Sequence, residues 1–275
     1  MQVLGSGGPR AGSNRASSSY LVWIDGRARV MVDAGGGSFV RFGESGARLE
    51  DLSLLAISHV HPDHTSGLPG LLWLSDMARA QTLPLVGPSG AGDFPSIASF
   101  LTRLFDPSRG AFPALSGTVG GPGRGVLIEL TSIDVGSGGP TVVLEQPDLV
   151  VEALPVPHGN VPALAYRVET RGLSVVFSSD QNGSDDRFVE FAGGATALVM
   201  HLAVPSSASG LALQLHATPE TVGRIASTAA VDQLILSHLF GEAGTGQLEE
   251  AVEVVRSAYD GVVHVSDDLA CYPLI

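Results

Sequence analysis

Three histidines and an aspartate lie within six consecutive positions of this chain, at His59, His61, Asp63 and His64. Imidazole nitrogens and carboxylate oxygens are the donors that zinc and related divalent metals prefer in proteins. His59 and His61 are two residues apart after an apolar run, so an extended backbone directs both side chains to one side. Asp63 and His64 enter a following helix and must face differently. This arrangement suits two adjacent metal ions better than one, and a dinuclear site needs further ligands from elsewhere.

Three further candidate ligands occur later in the chain, each directly after a predicted strand. They are His158, Asp180 and His238. Alone, a residue such as His158 would be an ordinary turn residue. Their shared position places all three on one edge of the predicted sheets, where the loops of α/β proteins commonly form sites. The sequence therefore predicts one site with ligands from four segments.

Apolar alternation and β-branched runs predict the strands that would position these side chains. The predicted strands span residues 20–24, 28–33, 54–58, 126–130, 142–144, 149–156, 163–169, 173–178, 197–201, 233–237 and 262–265. Helical patterns cover residues 67–79, 95–105, 186–191, 219–230 and 247–258. Thr218 followed by Pro219 is typical of a helix start, an N-cap residue before proline at the first helical position.

The order of these elements predicts an α/β fold. Helices lie between clusters of strands in both halves of the chain, which favours a layered sandwich. Strict alternation of strands and helices is absent between residues 126 and 180. Two stretches rich in Gly, Pro and Ser, 106–125 and 205–210, are predicted to be loops without structure of their own. Residues 106–125 are either an active-site lid or a mobile surface connection.

Composition and charge exclude several classes of protein. The chain has 275 residues, 44% of them hydrophobic and 16% charged, which excludes intrinsic disorder. Fifteen basic residues against 28 acidic ones give a formal net charge of −13, with no basic cluster of the kind that grips a long polyanion. A single cysteine, Cys271, excludes an intrachain disulfide and a cysteine-based zinc site. No apolar run approaches the ~20 residues that span a bilayer, so no membrane partner is expected.

The full set of candidate ligands resembles the metallo-β-lactamase superfamily of hydrolases. Residues 59–64 match its His-x-His-x-Asp-His signature, and the three later candidates match its later ligands in order. Asp33, after a predicted strand, matches the first motif of that superfamily. The resemblance covers nearly the whole chain. It implies an αββα sandwich of two sheet–helix halves, with residues 1–275 as a single domain.

The resemblance also implies how the ligands divide between two metal ions. One ion would take three histidines, His59, His61 and His158. The other would take Asp63, His64 and His238. Asp180 would bridge the two ions, since a carboxylate has two oxygens. Asp33 would lie behind the ligands and orient them, although an ordinary turn aspartate before Gly35 is the alternative.

Three segments resemble the ribonuclease Z and related phosphodiesterase branch of the superfamily. They are residues 4–9, 17–22 and 216–220. In the last of these, His216 is the candidate proton donor to a leaving oxygen, or else it assists helix capping next to Thr218. Together with Asp63, His216 is predicted to be catalytic.

Departures from that branch predict a smaller substrate than transfer RNA. His201 matches the histidine of the branch's His-Glu-Ala-Thr motif, but Leu202 replaces the glutamate that would orient a proton shuttle. We therefore place His201 with Asp33 among the residues that support the ligands. Residues 106–125 hold two arginines and do not form a long basic arm. These departures and the acidic charge predict a small-molecule ester as the substrate and argue against a nucleic acid partner.

The predicted function is a hydrolase with two divalent metal ions, zinc in the first place and manganese or iron as alternatives. A hydroxide that bridges the ions would attack a phosphodiester or a similar small ester. The alternatives are a lactonase or amidohydrolase of the same fold, a mononuclear iron dioxygenase, and a non-catalytic binding role. The dioxygenases typically dispense with part of the second metal site, whereas every ligand is present in this sequence.

The opening residues do not resemble a signal peptide. We therefore expect a cytoplasmic protein, or a periplasmic or secreted one if a leader has been removed. The oligomeric state stays open, and a homodimer is compatible with the sequence.

Overall fold

The structure is a computed structural model that describes residues 1–10, 14–74, 82–241 and 246–274. It contains two β-sheets, and helices pack on the outer face of each sheet. None of the helices in these described ranges combines the length and the apolar character that crossing a membrane requires.

The first sheet has six strands in sequential order, β1 to β6. They span Gln2–Gly5, Ser19–Ile24, Arg27–Val32, Leu54–Ala56, Leu83–Pro88 and Ile128–Ile133. Strands β1 to β3 pair antiparallel, whereas β3 to β6 pair parallel. All three residues of β4 are buried, as expected for a parallel strand that is covered on both faces. The carboxyl ends of β3 and β4 therefore lie side by side at one edge of the sheet.

The second sheet has seven strands, in the order β13-β12-β11-β10-β9-β8-β7. In chain order they span Thr141–Gln146, Leu149–His158, Val161–Thr170, Leu173–Phe177, Ala197–His201, Gln233–Ser237 and Val262–Val265. Strands β7 to β10 form consecutive antiparallel pairs, whereas β10 to β13 are parallel. The antiparallel hairpins explain why helices are absent from the sequence pattern between residues 126 and 180.

The described residues form eight α-helices, α1 to α8. They span Ser38–Glu44, Pro62–Thr65, Leu68–Leu74, Ile97–Phe105, Asp186–Phe191, Leu211–Leu215, Pro219–Thr228 and Gln247–Ala258. Helices α1, α3 and α4 contribute Phe42, Leu71 and Leu101 to the core on the outer face of the first sheet. Helices α5, α7 and α8 cover the second sheet in the same way.

The two sheets face each other across a third buried cluster. Tyr20 and Val30 from the first sheet pack there with Leu164, Phe177 and Ile235 from the second. The layers therefore run helix, sheet, sheet, helix, and the predicted αββα sandwich is confirmed. That residues 1–275 form a single domain stays a prediction.

The eleven predicted strands are all present, within three residues at each end, but the sequence pattern misses β1 and β5. Strand β1 is only four residues long and leads into a glycine-rich segment. Strand β5 contains Pro84 and Pro88, and proline weakens the signal of a strand because it cannot donate to the ladder.

Two predicted stretches between β4 and β6 differ from the structure. The helix predicted over residues 67–79 appears as α3, preceded by the short α2, and residues 75–79 lie outside the described ranges. Residues 106–125 are not without structure, because they contain a 3₁₀ helix at Pro113–Val119. Leu115 is 3% exposed and joins the core under α4, which orders this segment. The stretch 205–210 contains neither helix nor strand, as predicted.

Candidate metal centre

The predicted ligands meet where strands of both sheets end. His59 and His61 follow β4, His158 is the last residue of β8, Asp180 follows β10, and His238 follows β12. Within the described residues, two groups of four side chains place their ligand atoms within 4.8 Å of one another. Together the two groups contain all seven predicted ligands.

Three strand ends turn through a backbone conformation that is uncommon outside glycine. The φ angle is 59° at Asp33, 59° at Ser179 and 50° at His238. Such residues typically cost about 1–3 kcal/mol each and persist where the surrounding structure holds them. Strain of this kind at three strand ends that meet at one site is typical of a functional site, because it directs side chains where a relaxed backbone would not.

The first group contains His59, His61, His158 and Asp180. His61 Nδ1 lies 3.0 Å from His59 Nε2 and 3.5 Å from His158 Nε2. Asp180 Oδ2 lies 3.8 Å from both of those Nε2 atoms. A tetrahedral zinc ion with ligands at about 2.0–2.1 Å holds them about 3.4 Å apart. The observed separations therefore fit a ligand set around one ion.

Hydrogen bonds on the far sides of two rings show which nitrogen faces the centre. The Ser58 hydroxyl donates its one proton to Asp33 Oδ2 at 2.8 Å. Ser58 Oγ must therefore accept the hydrogen bond from His59 Nδ1, which lies 3.0 Å away. The Leu215 carbonyl accepts from His158 Nδ1 at 2.8 Å. Both Nε2 atoms therefore present lone pairs to the centre of the group, where a cation satisfies them together. Burial lowers the pKa of His158 to about 4 and that of His59 well below its usual value, which keeps both rings neutral.

The second group contains Asp63, His64, His238 and Asp180. His238 Nε2 lies 3.1 Å from Asp63 Oδ2 and 3.3 Å from Asp180 Oδ1. His64 Nε2 lies 3.7 Å from an oxygen of each aspartate, and it has no hydrogen-bond partner among the described residues. A buried nitrogen without a partner is costly unless it binds something. This group therefore also fits a metal ion.

His64 differs from the other rings in its protonation. Its Nδ1 lies 2.7 Å from Asp33 Oδ2. Burial alone would lower the pKa of His64, but Asp33 and Asp180 raise it well above its usual value. In the metal-free protein this ring therefore carries a proton on Nε2 that a metal ion would displace.

Asp180 belongs to both groups and is 2% exposed. Its Oδ2 atom lies within 3.8 Å of ligand nitrogens from each group. Burial works against the charged carboxylate, yet His238 and His64 hold the pKa of Asp180 well below its usual range. Asp180 is therefore an ionised carboxylate between the two groups, where it can contact two cations at once.

Two residues contact the candidate ligands from behind. Asp33 accepts hydrogen bonds from the Ser58 backbone N–H at 2.7 Å and from the Ser58 hydroxyl, besides its contact with His64. His201 Nδ1 lies 2.5 Å from Asp180 Oδ1, and its Nε2 lies 3.2 Å from the Tyr20 hydroxyl. Asp33 is therefore more than a turn residue, and His201 is buried against the shared carboxylate.

Sequence reasoning missed three residues that set these contacts, Tyr20, Ser58 and Leu215. Ser58 directly precedes His59, so its position at the end of a buried strand was a signal that could have been used. Tyr20 and the Leu215 carbonyl come from β2 and α6, far away in sequence, and no local pattern connects them with the ligands.

His216 lies at the rim of the centre, directly after α6. Its Nδ1 lies 3.9 Å from Asp180 Oδ2, and its ring centroid lies 5.3 Å from that of His158 and 5.8 Å from that of His238. The side chain is 18% exposed, so substrate can reach it. The cap of α7 is Thr218, whose side chain accepts from the Thr221 N–H. The catalytic role of His216 stays a prediction.

Asp63, the other predicted catalytic residue, lies between His64 and His238. Burial would raise the pKa of Asp63, but its hydrogen bond with His238 and the nearby His64 lower it to about 2. This carboxylate is therefore ionised at neutral pH and can act as a ligand or as an acceptor for a water proton.

The fold and the cluster of histidines and aspartates define an αββα protein with a candidate divalent metal centre. A profile of the family described as "Beta-lactamase superfamily domain" matches residues 28–239, most of the chain. The chain belongs to this superfamily, as the sequence resemblance predicts, and it is a metal-dependent hydrolase.

The chain is similar over nearly its whole length to proteins named for RNA cleavage. It is 28% identical to Ribonuclease Z of Mycolicibacterium paratuberculosis (strain ATCC BAA-968 / K-10), over 97% of this chain and 95% of that protein. Human tRNase Z, short form (ELAC1), matches with a TM-score of 0.76 at 18% identity over 100% of both chains. The metallo-beta-lactamase fold protein YhfI from Bacillus subtilis matches with a TM-score of 0.73 at 20% identity, over 98% of this chain and 96% of that one. These structural likenesses show the fold.

The prediction that argues against a nucleic acid partner is wrong. The relative named Ribonuclease Z and the structural neighbour named tRNase Z both act on RNA. Net charge is a sum over the whole surface and does not describe the field at one site. Divalent metal ions supply local positive charge at a site even in a protein with a net charge of −13.

Proposed function

We propose that this protein is a dinuclear metal-dependent phosphodiesterase that hydrolyses RNA. The observation that carries the proposal is the pair of ligand groups that share Asp180. Two cations at neighbouring positions are a recurrent arrangement in enzymes that cleave phosphate esters. Similarity to Ribonuclease Z over nearly the full length of both chains supports RNA as the substrate class.

Each ion would be held by its own group and by the shared carboxylate. The proposed ligands of the first ion are His59, His61 and His158. Those of the second ion are Asp63, His64 and His238. We propose zinc for both positions, because three neutral imidazoles with one carboxylate, and two imidazoles with two carboxylates, are donor sets that zinc accepts.

When bound, two such ions supply a shared water of lowered pKa as the nucleophile, and they neutralise charge that develops on the phosphate. The protein's own residues hold and move protons around that reaction. Asp63 is ionised and can accept a hydrogen bond from the water. Asp33 and His201 keep His64 and Asp180 in place.

His216 is the proposed donor of a proton to the leaving oxygen. Burial lowers the pKa of His216 to about 4, so the ring is neutral at neutral pH without substrate. Negative charge that builds up on the phosphate raises the pKa of a neighbouring imidazole, so His216 can take up the proton that the attacking water releases. The protonated ring can then give that proton to the leaving oxygen as its bond to phosphorus breaks.

The test is cleavage of a precursor transfer RNA by the zinc-loaded protein, with product ends mapped by sequencing. We expect a single pair of ends, dependence on metal, and loss of cleavage in His158→Ala and His238→Ala. His264→Ala is the matched control, because His264 lies on β13, with its ring beside that of Tyr272, and belongs to neither ligand group.

Two other outcomes would replace this proposal with an alternative on the same fold. Hydrolysis of a lactone with no cleavage of RNA would identify a lactonase. Oxygen uptake by an iron-loaded protein, with one ion per chain, would identify a dioxygenase.

A further inference from the structure

A pocket of about 320 Å³ opens directly beside the candidate centre. His216 and His238 form its inner wall, so it is continuous with the second ligand group. Its volume lies at the lower end of the ~300–1,000 Å³ typical of small-molecule pockets. It therefore has room for one small chemical group.

The other walls of this pocket are apolar. Val204 before α6, Leu211 and Leu215 in α6, and Leu239 and Phe240 after β12 line it. None of the described residues that line the pocket is acidic, although the chain carries 28 acidic residues. Arg10 also lines the pocket, at the end of the described N-terminal segment. An apolar chamber of this kind suits an uncharged group.

Two atoms at the inner wall also point to a ligand. His216 Nδ1 and His238 Nδ1 are buried and have no hydrogen-bond partner among the described residues. His238 itself is 2% exposed. Unsatisfied buried nitrogens are expensive, and bound polar groups at the mouth of the centre satisfy them.

The wall formed by α6 is unusually exposed. None of the five residues of α6 is buried, and Leu211 is 66% exposed. Covering an exposed leucine with an apolar group removes apolar surface from water, which makes binding of that group more favourable. Phe240 adds an aromatic face, and base–aromatic stacking is a general means of holding single-stranded nucleic acid.

We propose that this pocket binds the nucleobase of the nucleoside that leaves during phosphodiester hydrolysis. This inference rests on the proposed function, which assigns His216 to the leaving oxygen. In the reaction, the oxygen of water bonds to phosphorus and the bond from phosphorus to the leaving nucleoside breaks. The released oxygen takes up, through His216, the proton that the water gave up, and it becomes an uncharged hydroxyl. The base of that nucleoside is also uncharged and fits an apolar chamber.

The test uses diadenosine monophosphate as substrate and adenosine as the leaving product. Leu211→Ala removes part of the exposed wall, and Leu213→Ala is the matched control, since Leu213 is 40% exposed on the same helix and does not line the pocket. We expect Leu211→Ala to raise both KM and the inhibition constant of adenosine about tenfold, with kcat changed less than about twofold. Leu213→Ala should leave all three values unchanged.

Direct binding separates this inference from the proposed function. Adenosine is titrated by calorimetry into the zinc-loaded wild type and both variants, which requires no turnover. Weaker binding in Leu211→Ala alone supports the pocket even if the protein cleaves no phosphodiester. Equal effects of the two substitutions, or no adenosine binding by a protein that does hydrolyse diadenosine monophosphate, would overturn the pocket and leave the phosphodiesterase intact.

Discussion

At the scale of single residues, hydrogen bonds to atoms outside the centre fix the ligand nitrogens. Ser58 and the Leu215 carbonyl hold the Nδ1 atoms of His59 and His158, so that their Nε2 atoms face inward. Because burial lowers the pKa of both rings, they stay neutral and ready to bind a metal. The residues behind the ligands therefore matter for metal affinity as well as for geometry.

His64 gives the metal affinity a pH dependence of known sign. Because Asp33 and Asp180 raise the pKa of His64 well above its usual value despite burial, the metal-free ring is protonated at neutral pH. Metal binding should therefore release a proton, and affinity should rise with pH until the pKa of His64 is passed. Zinc titrations at pH 7 in buffers of different ionisation enthalpy measure that proton. Asp33→Asn should reduce the release, and an unchanged release in that variant would show that another group supplies the proton.

His216 should affect catalysis without affecting the metals. Its removal should slow hydrolysis of substrates with a poor leaving group by ~10²–10⁴-fold, the usual contribution of a positioned acid. With p-nitrophenolate, which leaves without a proton, His216→Ala should have a much smaller effect. Rates with both kinds of ester, together with zinc content, check this. Equal slowing of both substrates, or loss of zinc, would show that His216 is a ligand or a structural residue.

At the scale of elements, the short helix α6 connects two parts of the site. Its Gln214 carbonyl accepts from the Gly159 N–H at 3.0 Å and from Asn182 Nδ2 at 3.1 Å, and its Leu215 carbonyl accepts from His158. The same helix forms a wall of the pocket beside the centre. A helix of five residues has little stability of its own. These hydrogen bonds to β8 and to the loop after β10 are therefore what hold it in place.

The segment after β1 should be important for the second ion alone. A Cβ added at Gly8 would lie 2.7 Å from Cε1 and 2.9 Å from Nδ1 of His238, closer than atoms can approach. Gly8→Ala should therefore displace His238 and weaken the second zinc at least about tenfold, while the first zinc is retained. Stepwise zinc titration against a chelator measures both affinities.

Gly43→Ala is the control for that substitution, since a Cβ there meets no atom within 4 Å. Equal loss of both ions in Gly8→Ala would contradict the division of the ligands into two groups.

At the scale of the whole molecule, the centre joins the two sheets. His59 and His61 come from the first sheet, whereas His158, Asp180 and His238 come from the second. Ions bound by these residues would therefore connect the halves of the sandwich. Because the site exists only in the folded chain, such ions would stabilise the folded chain over the unfolded one.

Much of the αββα architecture and the clustering of the candidate ligands could be predicted from the sequence, because both depend on local patterns. Apolar alternation marks the strands, and polar residues directly after them, such as Asp180 and His238, mark the edge at which the site forms. Contacts between distant segments, such as that of the Tyr20 hydroxyl with His201, leave no pattern in the local sequence from which they could be predicted. The pocket was also hidden, because its walls come together only when β1, α6 and the end of β12 are folded against one another. The exclusion of a nucleic acid partner was wrong, because net charge over the whole surface does not describe the local charge of a metal centre.

The central claim is that two ions share Asp180, and native mass spectrometry with elemental analysis tests it most directly. The wild type should bind close to two zinc ions per chain. Asp180→Ala should lose occupancy at both positions, because each ion is left one ligand short. Asp180→Asn keeps the size of the side chain and should show the same loss, with circular dichroism used to confirm that the fold is intact. The control is Asp25→Asn on the surface, which should keep both ions. A wild type with one ion per chain, or an Asp180→Ala protein with two, would contradict the shared centre.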